Sequence, residues 1–354
     1  MSQPPAQCLL IGVDGGSRDA ISPLAAYPPF AVQATDSPHA DQVDYWVDLY
    51  EPLHATGIVS GTSDSPAGRK IESAARLAAS RRNMKVAAIE DYPGNYFDVP
   101  GAHTDLLIAE SIFSGKLYRE RLGSACPPIA IYCSARYDHY RAEAEALRLA
   151  TQASWRRQQQ AAPGILWAGQ PESRDCLETL RRIAPAVTAL GAMLLIKAHP
   201  RDRSHPQGVY TRLLQSLGVD HSDVTGLSVA QSLALAPRLI ITQFSSVAVE
   251  AGFYGIPALH LVYCDVGGAS LQRKKGFEVP PYCLSGAGFY LKRAGSELDM
   301  LRTALCDEAA RKSVIGCFDD FFATRGIVTP ALADHLARLM GLSSTFSTII
   351  RGLV

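Results

Sequence analysis

The 354-residue sequence lacks the features that mark several large classes of protein. It has no run of about 18 apolar residues, so nothing in it predicts a membrane-spanning helix. The 34 basic and 34 acidic residues cancel, which gives no support to a nucleic-acid binder that works through bulk charge. The first apolar segment is short and has no basic region before it, unlike a secretory signal. We expect a cytoplasmic protein with no nucleic-acid partner.

Catalytic and metal-binding signatures are absent as well. The patterns H-E-x-x-H, G-x-S-x-G and Walker A do not occur, which argues against zincins, α/β-hydrolases and P-loop enzymes. The eight cysteines are scattered without a C-x-x-C pair, as is typical of reduced thiols. We predict neither a metal nor a cofactor. The apolar residues 346–354 could contact a membrane, although a frayed or docked terminus is the simpler interpretation.

The sequence does contain a regular alternation of strand-like and helix-like segments. A hydrophobic content of 47% and a charged content of 19% indicate a packed globular protein, and the length suits two domains. The predicted strands cover residues 8–13, 30–34, 56–60, 85–89, 105–109, 128–132, 165–168, 193–197, 239–242 and 258–262. Such alternation predicts an α/β fold with two doubly wound, Rossmann-like parallel-sheet domains that face each other across a cleft.

A long polar helix predicted over residues 140–160 separates the two halves. Ala161-Ala162-Pro163-Gly164 interrupts it, because Pro and Gly break helices. We therefore predict domains over residues 1–150 and 151–330, followed by a C-terminal helix and tail over residues 331–354.

Two strand-to-helix junctions in the second domain carry most of the functional signal. Lys197-Ala198-His199-Pro200 ends one apolar run, and Gln243-Phe244-Ser245-Ser246 ends another. Open parallel sheets bind ligands at the carboxyl ends of their strands, so both junctions are expected at one site. A Lys and a His at one strand end, with two Ser that open a helix at the other, suit a phosphate.

Lys197 and His199 are two positions apart, so their side chains point the same way from an extended strand. Pro200 stops the strand and fixes the turn. The His can donate a hydrogen bond to a phosphate oxygen, and the Lys adds a point charge. A surface lysine and a strand-capping histidine would explain these residues equally well.

The other candidates in the second domain have similar alternatives. Ser245 and Ser246 suit a helix cap, which uses the same backbone groups as anion binding. Glu250 lies about one turn into the next helix, where a carboxylate is favoured electrostatically and could also accept hydrogen bonds from ribose hydroxyls. Gly169 and Gln170 form a tight loop that could contact a base or a phosphate, or be a plain turn.

In the first domain, Asp14, Gly15 and Gly16 follow the opening strand. Their turn resembles a phosphate-binding loop but lacks the G-x-G-x-x-G spacing. Asp14 could act as a general base or simply form the turn. Glu90 and Asp91 end another strand and are the second place for a base or an acceptor-binding loop.

These residues together resemble a known family. Lys197-Ala198-His199-Pro200, Ser245-Ser246-x-x-x-Glu250 and Gly255-Ile256-Pro257 look like the HP and SS motifs of bacterial GT-B glycosyltransferases. That family includes the sialyltransferases and Kdo transferases of capsule and lipopolysaccharide synthesis, which use CMP-sugars. The poly-glycerophosphate transferases that use CDP-glycerol carry similar motifs. The resemblance is good over residues 165–262 and elsewhere is limited to the overall pattern.

The resemblance implies a nucleotide-sugar-binding second domain and an acceptor-binding first domain. His199, Ser245 and Ser246 would bind the phosphate of the nucleotide, and Glu250 would hold its ribose. The expected function is a metal-independent, inverting glycosyltransferase. It would move a sugar from a nucleotide-sugar donor, with a CMP-activated acidic sugar such as Kdo or a sialic-acid-like sugar favoured, to a glycan or lipid-linked acceptor.

The general base of that family is an Asp or Glu of the N-terminal domain. Asp14 is the candidate here, with Glu90 and Asp91 as substitutes.

The chain also looks like the non-hydrolysing UDP-GlcNAc 2-epimerases, which share this fold. Their double-glycine strand end is replaced here by Ser245-Ser246, so this alternative comes second. A UDP-sugar glycosyltransferase is a further alternative. A non-catalytic nucleotide-sugar-binding protein is the last one, and it would keep the phosphate site but need no base.

Overall fold

The computed structural model describes residues 7–158, 162–322 and 326–342. The chain folds into two compact units. Unit 1 combines residues up to 139 with those from 326 onward, and unit 2 comprises residues 140–325. Within the described residues, each unit contains one six-stranded parallel sheet, here called sheet 1 and sheet 2.

The strands pair in a different order in each sheet. Those of sheet 1 are β1 Gln7–Ile11, β2 Phe30–Val32, β3 Ala55–Ser60, β4 Lys85–Ile89, β5 Leu106–Ala109 and β6 Ile129–Ile131, in the order β2-β1-β3-β4-β5-β6. Those of sheet 2 are β7 Gly164–Ala168, β8 Met193–Lys197, β9 His221–Asp223, β10 Leu239–Thr242, β11 Ala258–Leu261 and β12 Phe289–Leu291, in the order β12-β11-β10-β7-β8-β9.

Helices connect the strands. They are α1 Gly15–Ile21, α2 Val43–Tyr50, α3 Pro66–Arg81, α4 Ile112–Leu122, α5 Asp138–Arg157, α6 Ser173–Ala189, α7 Val209–Ser216, α8 Val229–Ala234, α9 Val247–Phe253, α10 Gly267–Lys275, α11 Pro281–Leu284, α12 Glu297–Cys306, α13 Glu308–Phe321 and α14 Thr329–Leu339.

Both sheets are covered on both faces. Successive residues of a strand point to opposite sides, and in β1 Leu10 enters one buried cluster while Leu9 enters another. In β7, Ile165 likewise packs in one buried cluster and Leu166 in another. Strands that are buried on both sides read as continuous apolar runs. The predicted α/β class with two doubly wound parallel-sheet domains is confirmed.

The division of the chain differs from the predicted boundaries. The predicted break after residue 150 falls inside α5, whereas the units divide at 139 and 140. The C-terminal helix α14, predicted to open a separate segment, belongs to unit 1. Its Leu332 and Leu336 are fully buried in the same cluster as Leu10 and Val59 of sheet 1. This packing places α14 in unit 1, and the order of residues along the chain gives no sign of it.

In the described ranges, no helix is both long and apolar enough to cross a bilayer. The apolar residues 346–354, for which membrane contact was considered, lie outside the described residues.

Candidate functional site

Three neighbouring strands bring predicted site residues to one edge of sheet 2. β7 lies between β8 and β10, all three are parallel, and Ala168 pairs with both Lys197 and Thr242. The residues that follow these strands therefore share the carboxyl edge of sheet 2. They are Gly169 and Gln170 after β7, Lys197, His199 and Pro200 at the end of β8, and Gln243, Ser245 and Ser246 after β10.

His199 is half-buried in the turn after β8 and has a defined hydrogen-bonding pattern. The backbone N–H of Arg201 donates to its Nδ1 at 3.0 Å. The neutral ring therefore carries its proton on Nε2, which is a donor. Burial, followed by the charge of Arg201, lowers the pKa of His199 below its usual value. Pro200 is exposed beside it. The ring is a neutral hydrogen-bond donor at neutral pH.

Lys197 and Glu250 lie close enough to interact electrostatically. Burial lowers the pKa of Lys197, and the charge of Glu250 partly offsets that effect. The Lys197 ammonium donates a hydrogen bond to the carbonyl of Leu227. Tyr140 Oη donates to Glu250 Oε2 at 2.7 Å, and the Tyr140 ring stacks on Phe253. The Glu250 carboxylate is thereby held in a fixed orientation.

Ser245 and Ser246 form the turn that leads into α9. The Ser245 N–H donates to Thr242 Oγ1 at 3.3 Å, and Ser245 Oγ accepts from the N–H of Val247 at 3.3 Å. Ser245 is thus a cap of the turn, as the simpler interpretation predicted. Ser246 occupies the N-cap position, but its side chain caps no backbone N–H of α9.

Gln170 is the buried polar residue at the centre of this edge. Its side chain is only 6% exposed, and among the described residues its Nε2 has no hydrogen-bond partner. Its backbone N–H donates to Cys176 Sγ at 3.2 Å. Gly169 has a packing role, because a Cβ there would lie 2.9 Å from Cη2 of Trp167. A buried amide donor without a partner costs free energy unless something accepts from it.

Gln243 holds the turn after β10 in place. Its Nε2 donates to Thr179 Oγ1 at 3.0 Å, and its carbonyl accepts from His260 Nδ1 at 2.9 Å. His260 is fully buried in β11, its Nε2 lies 2.8 Å from Tyr282 Oη, and burial lowers its pKa to about 4. This network was not predicted from the sequence, where its signal is a histidine inside an apolar strand.

In unit 1, Asp14 lies at the carboxyl end of β1 and caps no backbone N–H of α1. Its carboxylate instead accepts hydrogen bonds from the Ser65 N–H at 2.7 Å and from Ser65 Oγ at 2.6 Å. Its own N–H donates to Ser63 Oγ at 3.0 Å. Gly15 is exposed, and a Cβ added there would meet no described atom within 4 Å beyond its chain neighbours and its own helix backbone. Asp14 is half-buried and fixed beside open space.

Asp91 follows β4 and packs against the same turn. Its Oδ1 accepts from Thr62 Oγ1 at 3.1 Å and from Asn95 Nδ2 at 2.6 Å. A Cβ on Gly16 would lie 2.8 Å from Asp91 Oδ2, so the glycine permits this close approach. The structure brings Asp91, Gly16 and the α1 turn together.

Glu90 is placed differently from the other two acids. It is 2% exposed, and its carboxyl accepts hydrogen bonds from the Glu110 N–H and from Tyr118 Oη. Burial, with a smaller contribution from the charge of Glu110, raises its pKa to about 8. At neutral pH Glu90 is therefore largely protonated and enclosed by unit 1, which argues against contact with an acceptor.

The sequence analysis also missed Glu72 of α3. It is fully buried, and it accepts from Ser17 Oγ at 2.6 Å, from Ser63 Oγ at 2.7 Å and from the Ser63 N–H at 2.8 Å. Burial raises its pKa to about 6. In the sequence its signal is a carboxylate on an otherwise apolar helix face. The buried Glu72 fixes the loop that carries the partners of Asp14.

In the part of the chain that the structure describes, no three His, Cys, Asp or Glu side chains are grouped so that they could hold a metal ion.

Comparison with known proteins gives a fold and no family. No protein-family profile and no curated protein sequence matches the chain. Among solved structures, the UDP-GlcNAc 2-epimerase of Neisseria meningitidis, bound to UDP-GlcNAc, is similar with a TM-score of 0.59 at 13% identity, over 94% of this chain and 100% of that one. MurG of Acinetobacter baumannii has a TM-score of 0.59 at 11% identity, over 95% of this chain and 100% of that one.

A third similar structure is a variant of the wall teichoic acid polymerase TagF soaked with CDPG. It has a TM-score of 0.50 at 12% identity, over 96% of this chain and 88% of that one. At these identities the likeness concerns the fold alone. The predicted GT-B fold is confirmed.

Proposed function

We propose that this protein is an inverting glycosyltransferase that moves a sugar from a nucleotide donor to a hydroxyl acceptor. One observation carries the proposal. The carboxyl edge of sheet 2 gathers hydrogen-bond donors of different kinds, namely the imidazole of His199, the ammonium of Lys197 and the Gln170 Nε2 group, which no described residue accepts from. A site with these groups suits an anionic, hydrogen-bonding ligand such as a nucleotide phosphate.

The first role of these residues is to stabilise the leaving nucleotide. His199 Nε2–H and the hydroxyls of Ser245 and Ser246 would donate to phosphate oxygens, and Lys197 would add positive charge. Donors that are fixed before the reaction stabilise charge as it develops, at no cost of reorganisation. His199 and Ser245 are already held by backbone contacts.

The second role is to hold the nucleoside. Glu250, oriented by Tyr140, would accept hydrogen bonds from ribose hydroxyls. Gln170 Nε2 would donate to the base or to a phosphate oxygen and so satisfy its missing hydrogen bond. A CMP-activated acidic sugar is the donor that the sequence motifs favour, and a glycan or lipid-linked acceptor completes the proposal.

Deprotonation of the acceptor is assigned to Asp14. The base takes the proton of the acceptor hydroxyl, the oxygen attacks the anomeric carbon from the face opposite the nucleotide, and the bond from that carbon to the phosphate oxygen breaks. Asp14 is half-buried and directly precedes the exposed Gly15, whereas Asp91 and Glu90 are only 7% and 2% exposed. Asp91 is the substitute, while the burial of Glu90 argues for a structural role.

A UDP-GlcNAc 2-epimerase-like enzyme is the second candidate, since two of the similar structures are named as such epimerases from Neisseria meningitidis and Methanocaldococcus jannaschii. An enzyme of that kind would turn over UDP-GlcNAc with no acceptor. A non-catalytic binding protein would keep nucleotide affinity and lose nothing measurable on substitution of Asp14.

The deciding experiment is a thermal-shift panel of CMP, CDP, UDP, UMP, GDP and NAD on the wild type and on His199→Ala. A ligand of the native state raises the melting temperature by mass action. A shift with CMP that is lost in the variant supports a CMP-sugar transferase. A shift with uridine nucleotides alone favours the epimerase or a UDP-sugar transferase, and no shift at all contradicts the nucleotide site.

A further inference from the structure

A basic groove surrounds Trp155 at the amino-terminal edge of sheet 2. Trp155 lies near the end of α5, and its Nε1 donates to the carbonyl of Ala236 at 2.9 Å. Arg238 directly precedes β10, and its N–H donates to the carbonyl of Gly164 at the start of β7. Because β7 is five residues long, the groove lies about 16 Å from the carboxyl edge of that sheet. It is therefore separate from the nucleotide site.

Three cavities open onto the Trp155 ring. The largest, of about 510 Å³, is lined by Gln152, Trp155, Arg156, Arg238 and Glu308. Neighbouring cavities of about 350 and 310 Å³ also reach Trp155, and the smaller one adds Arg311 and Lys312. The groove thus has an aromatic floor and mainly cationic walls.

Two guanidinium groups lie against the indole ring of Trp155. The Cζ atoms of Arg238 and Arg311 each lie 5.0 Å from its centroid, so they are separated by at most twice that distance. Cation–π attraction holds each group, but the two cations repel each other. Burial, followed by the charge of Arg238, lowers the pKa of Arg311 to about 10.

The described residues offset the positive charge of the groove only in part, since the charge of Glu308 acts against the lowering of the Arg311 pKa. Arg148, at its margin, is paired with Asp319, but Arg156, Arg238, Arg311 and Lys312 have no carboxylate within ion-pair distance in the described ranges. Glu308 lines the groove outside that distance. Arg311, 8% exposed, donates only to carbonyl oxygens, at the end of α12. The guanidinium donors of Arg238 have no described acceptor.

The backbone that presents Arg238 is strained. Ala236 has a φ of 54°, a left-handed conformation that is costly for a residue with a Cβ. The hydrogen bond from Trp155 to its carbonyl holds the turn, and the turn sets Arg238 over the indole. Strain of this kind tends to occur where it positions a functional group.

We propose that this groove is a second ligand site, which binds a phosphate-bearing anion through Arg238 and Arg156 over the Trp155 ring. Guanidinium N–H groups match phosphate oxygens in geometry, and the anion would relieve the repulsion between Arg238 and Arg311. A soluble pyrophosphate compound and a phospholipid headgroup present the same chemistry. This inference does not depend on the proposed transferase activity.

The test uses the three tryptophans of the chain as reporters. The protein is labelled with 5-fluorotryptophan and titrated with inorganic pyrophosphate, with Trp155 assigned from Trp155→Phe. Trp46 reports on the core of unit 1, and Trp167 lies next to the carboxyl edge of sheet 2. Arg238→Gln and Arg156→Gln are the two variants that each remove one of the proposed anion-binding guanidinium groups. Arg181→Gln, which removes an exposed arginine of α6 outside the groove, is the control.

We expect the Trp155 signal of the wild type to shift saturably with pyrophosphate. The affinity for pyrophosphate should be about tenfold weaker in Arg238→Gln, because one charge-assisted hydrogen bond is lost. It should be unchanged in Arg181→Gln. Three results would overturn soluble-anion binding. They are a shift of the Trp167 signal alone, no shift of any signal, or equal pyrophosphate affinity in Arg238→Gln and Arg181→Gln.

Sedimentation with vesicles distinguishes the two sources. Equal parts of phosphatidylcholine and phosphatidylglycerol are compared with phosphatidylcholine alone. Sedimentation that needs both the anionic lipid and Arg238 assigns a phospholipid headgroup. A pyrophosphate response without such sedimentation assigns a soluble ligand. If neither assay depends on Arg238, the proposal is wrong.

Discussion

The carboxyl edges of the two sheets are built from opposite chemistry. The edge of sheet 1 gathers the acids Asp14, Glu72 and Asp91, each of which accepts hydrogen bonds from neighbouring side chains or N–H groups. The edge of sheet 2 gathers donors, among them His199 and the side-chain amide of Gln170, whose Nε2 has no partner in the described part of the chain. Fixed acceptors suit the removal of a proton, and fixed donors suit an anion.

The same fold can therefore carry different chemistry at its strand ends. Both sheets are parallel and six-stranded across the described ranges, and both present strand ends at one edge. The residues placed in the few positions after each strand make one edge acidic and the other rich in donors. Function must therefore be argued from these residues and not from the fold that they share with other proteins.

The largest expected effect is that of Asp14→Asn on turnover. If the acidic edge performs deprotonation, sugar transfer should fall about 10²- to 10⁴-fold, the usual contribution of a general base. Nucleotide affinity, a property of the other edge, should be unchanged by calorimetry. Ser65→Ala, which keeps the carboxylate and removes one of its donors, should lose much less. If Asp14→Asn weakened nucleotide binding as much as turnover, separate roles for the two sheet edges would be contradicted.

The second effect concerns the pH dependence of stability in unit 1. The folded pKa of Glu90, about 8, is raised above the ordinary value of 4.5. The folded state therefore retains a proton that the unfolded chain releases, and stability falls as pH rises from the ordinary value toward 8. Glu90 by itself should contribute a slope of at most about 1.4 kcal/mol per pH unit.

Glu90→Gln should reduce this dependence in urea unfolding, most clearly above the Glu72 pKa of about 6, because the amide does not ionise. Tyr118→Phe removes a hydrogen bond that lowers the pKa of Glu90, so it should extend the sloping region to higher pH. Identical slopes in the wild type and Glu90→Gln would contradict the assignment of a protonated buried acid.

The third effect is that of His199→Ala on the donor edge. Loss of a hydrogen bond to a charged phosphate should weaken nucleotide binding about 10- to 100-fold. His205→Ala is the matched control, since His205 pairs with Asp223. Because burial lowers the pKa of His199, affinity in the wild type should be flat above neutral pH. Equal losses in both alanine variants would remove His199 from the site.

The smallest effect distinguishes two adjacent glycines. Gly15→Ala meets no atom within 4 Å, so it should fold normally and only raise the KM for the acceptor severalfold if an acceptor approaches there. Gly16→Ala places its Cβ 2.8 Å from Asp91 Oδ2 and should lose about 1 to 3 kcal/mol of stability from overpacking. An unchanged KM in Gly15→Ala would leave this turn without a ligand role.

Much of the fold could be predicted from local pattern. β4, β8 and β10 match the predicted ranges, because continuous apolar runs bounded by polar residues are typical of buried parallel strands. β9 was missed, since His221–Asp223 is short and polar. The convergence of His199 and Ser245 was also predictable, because carboxyl ends of parallel strands meet at one edge.

The burial, protonation and hydrogen-bond partners of individual residues were harder to predict from the sequence. The sequence offered Glu90 and Asp91 as equivalent acids, but Glu90 is enclosed with Tyr118 and Glu110, and its pKa is raised. Glu72, His260 and the Trp155 groove were not predicted at all. Their partners come from distant parts of the chain, such as Ser17 for Glu72 and Arg311 for Trp155.

The α/β class, the two-domain plan and the residues that end each strand follow from the amino-acid order, because side-chain periodicity and strand-ending residues are local properties. Packing of the chain sets three further features: α14 belongs to unit 1, Gln170 Nε2 is buried without a partner among the described residues, and Glu90 keeps its proton at neutral pH. Burial and hydrogen-bond partners depend on residues far apart in the chain, and desolvation, which sets these states, exists only once the chain has packed.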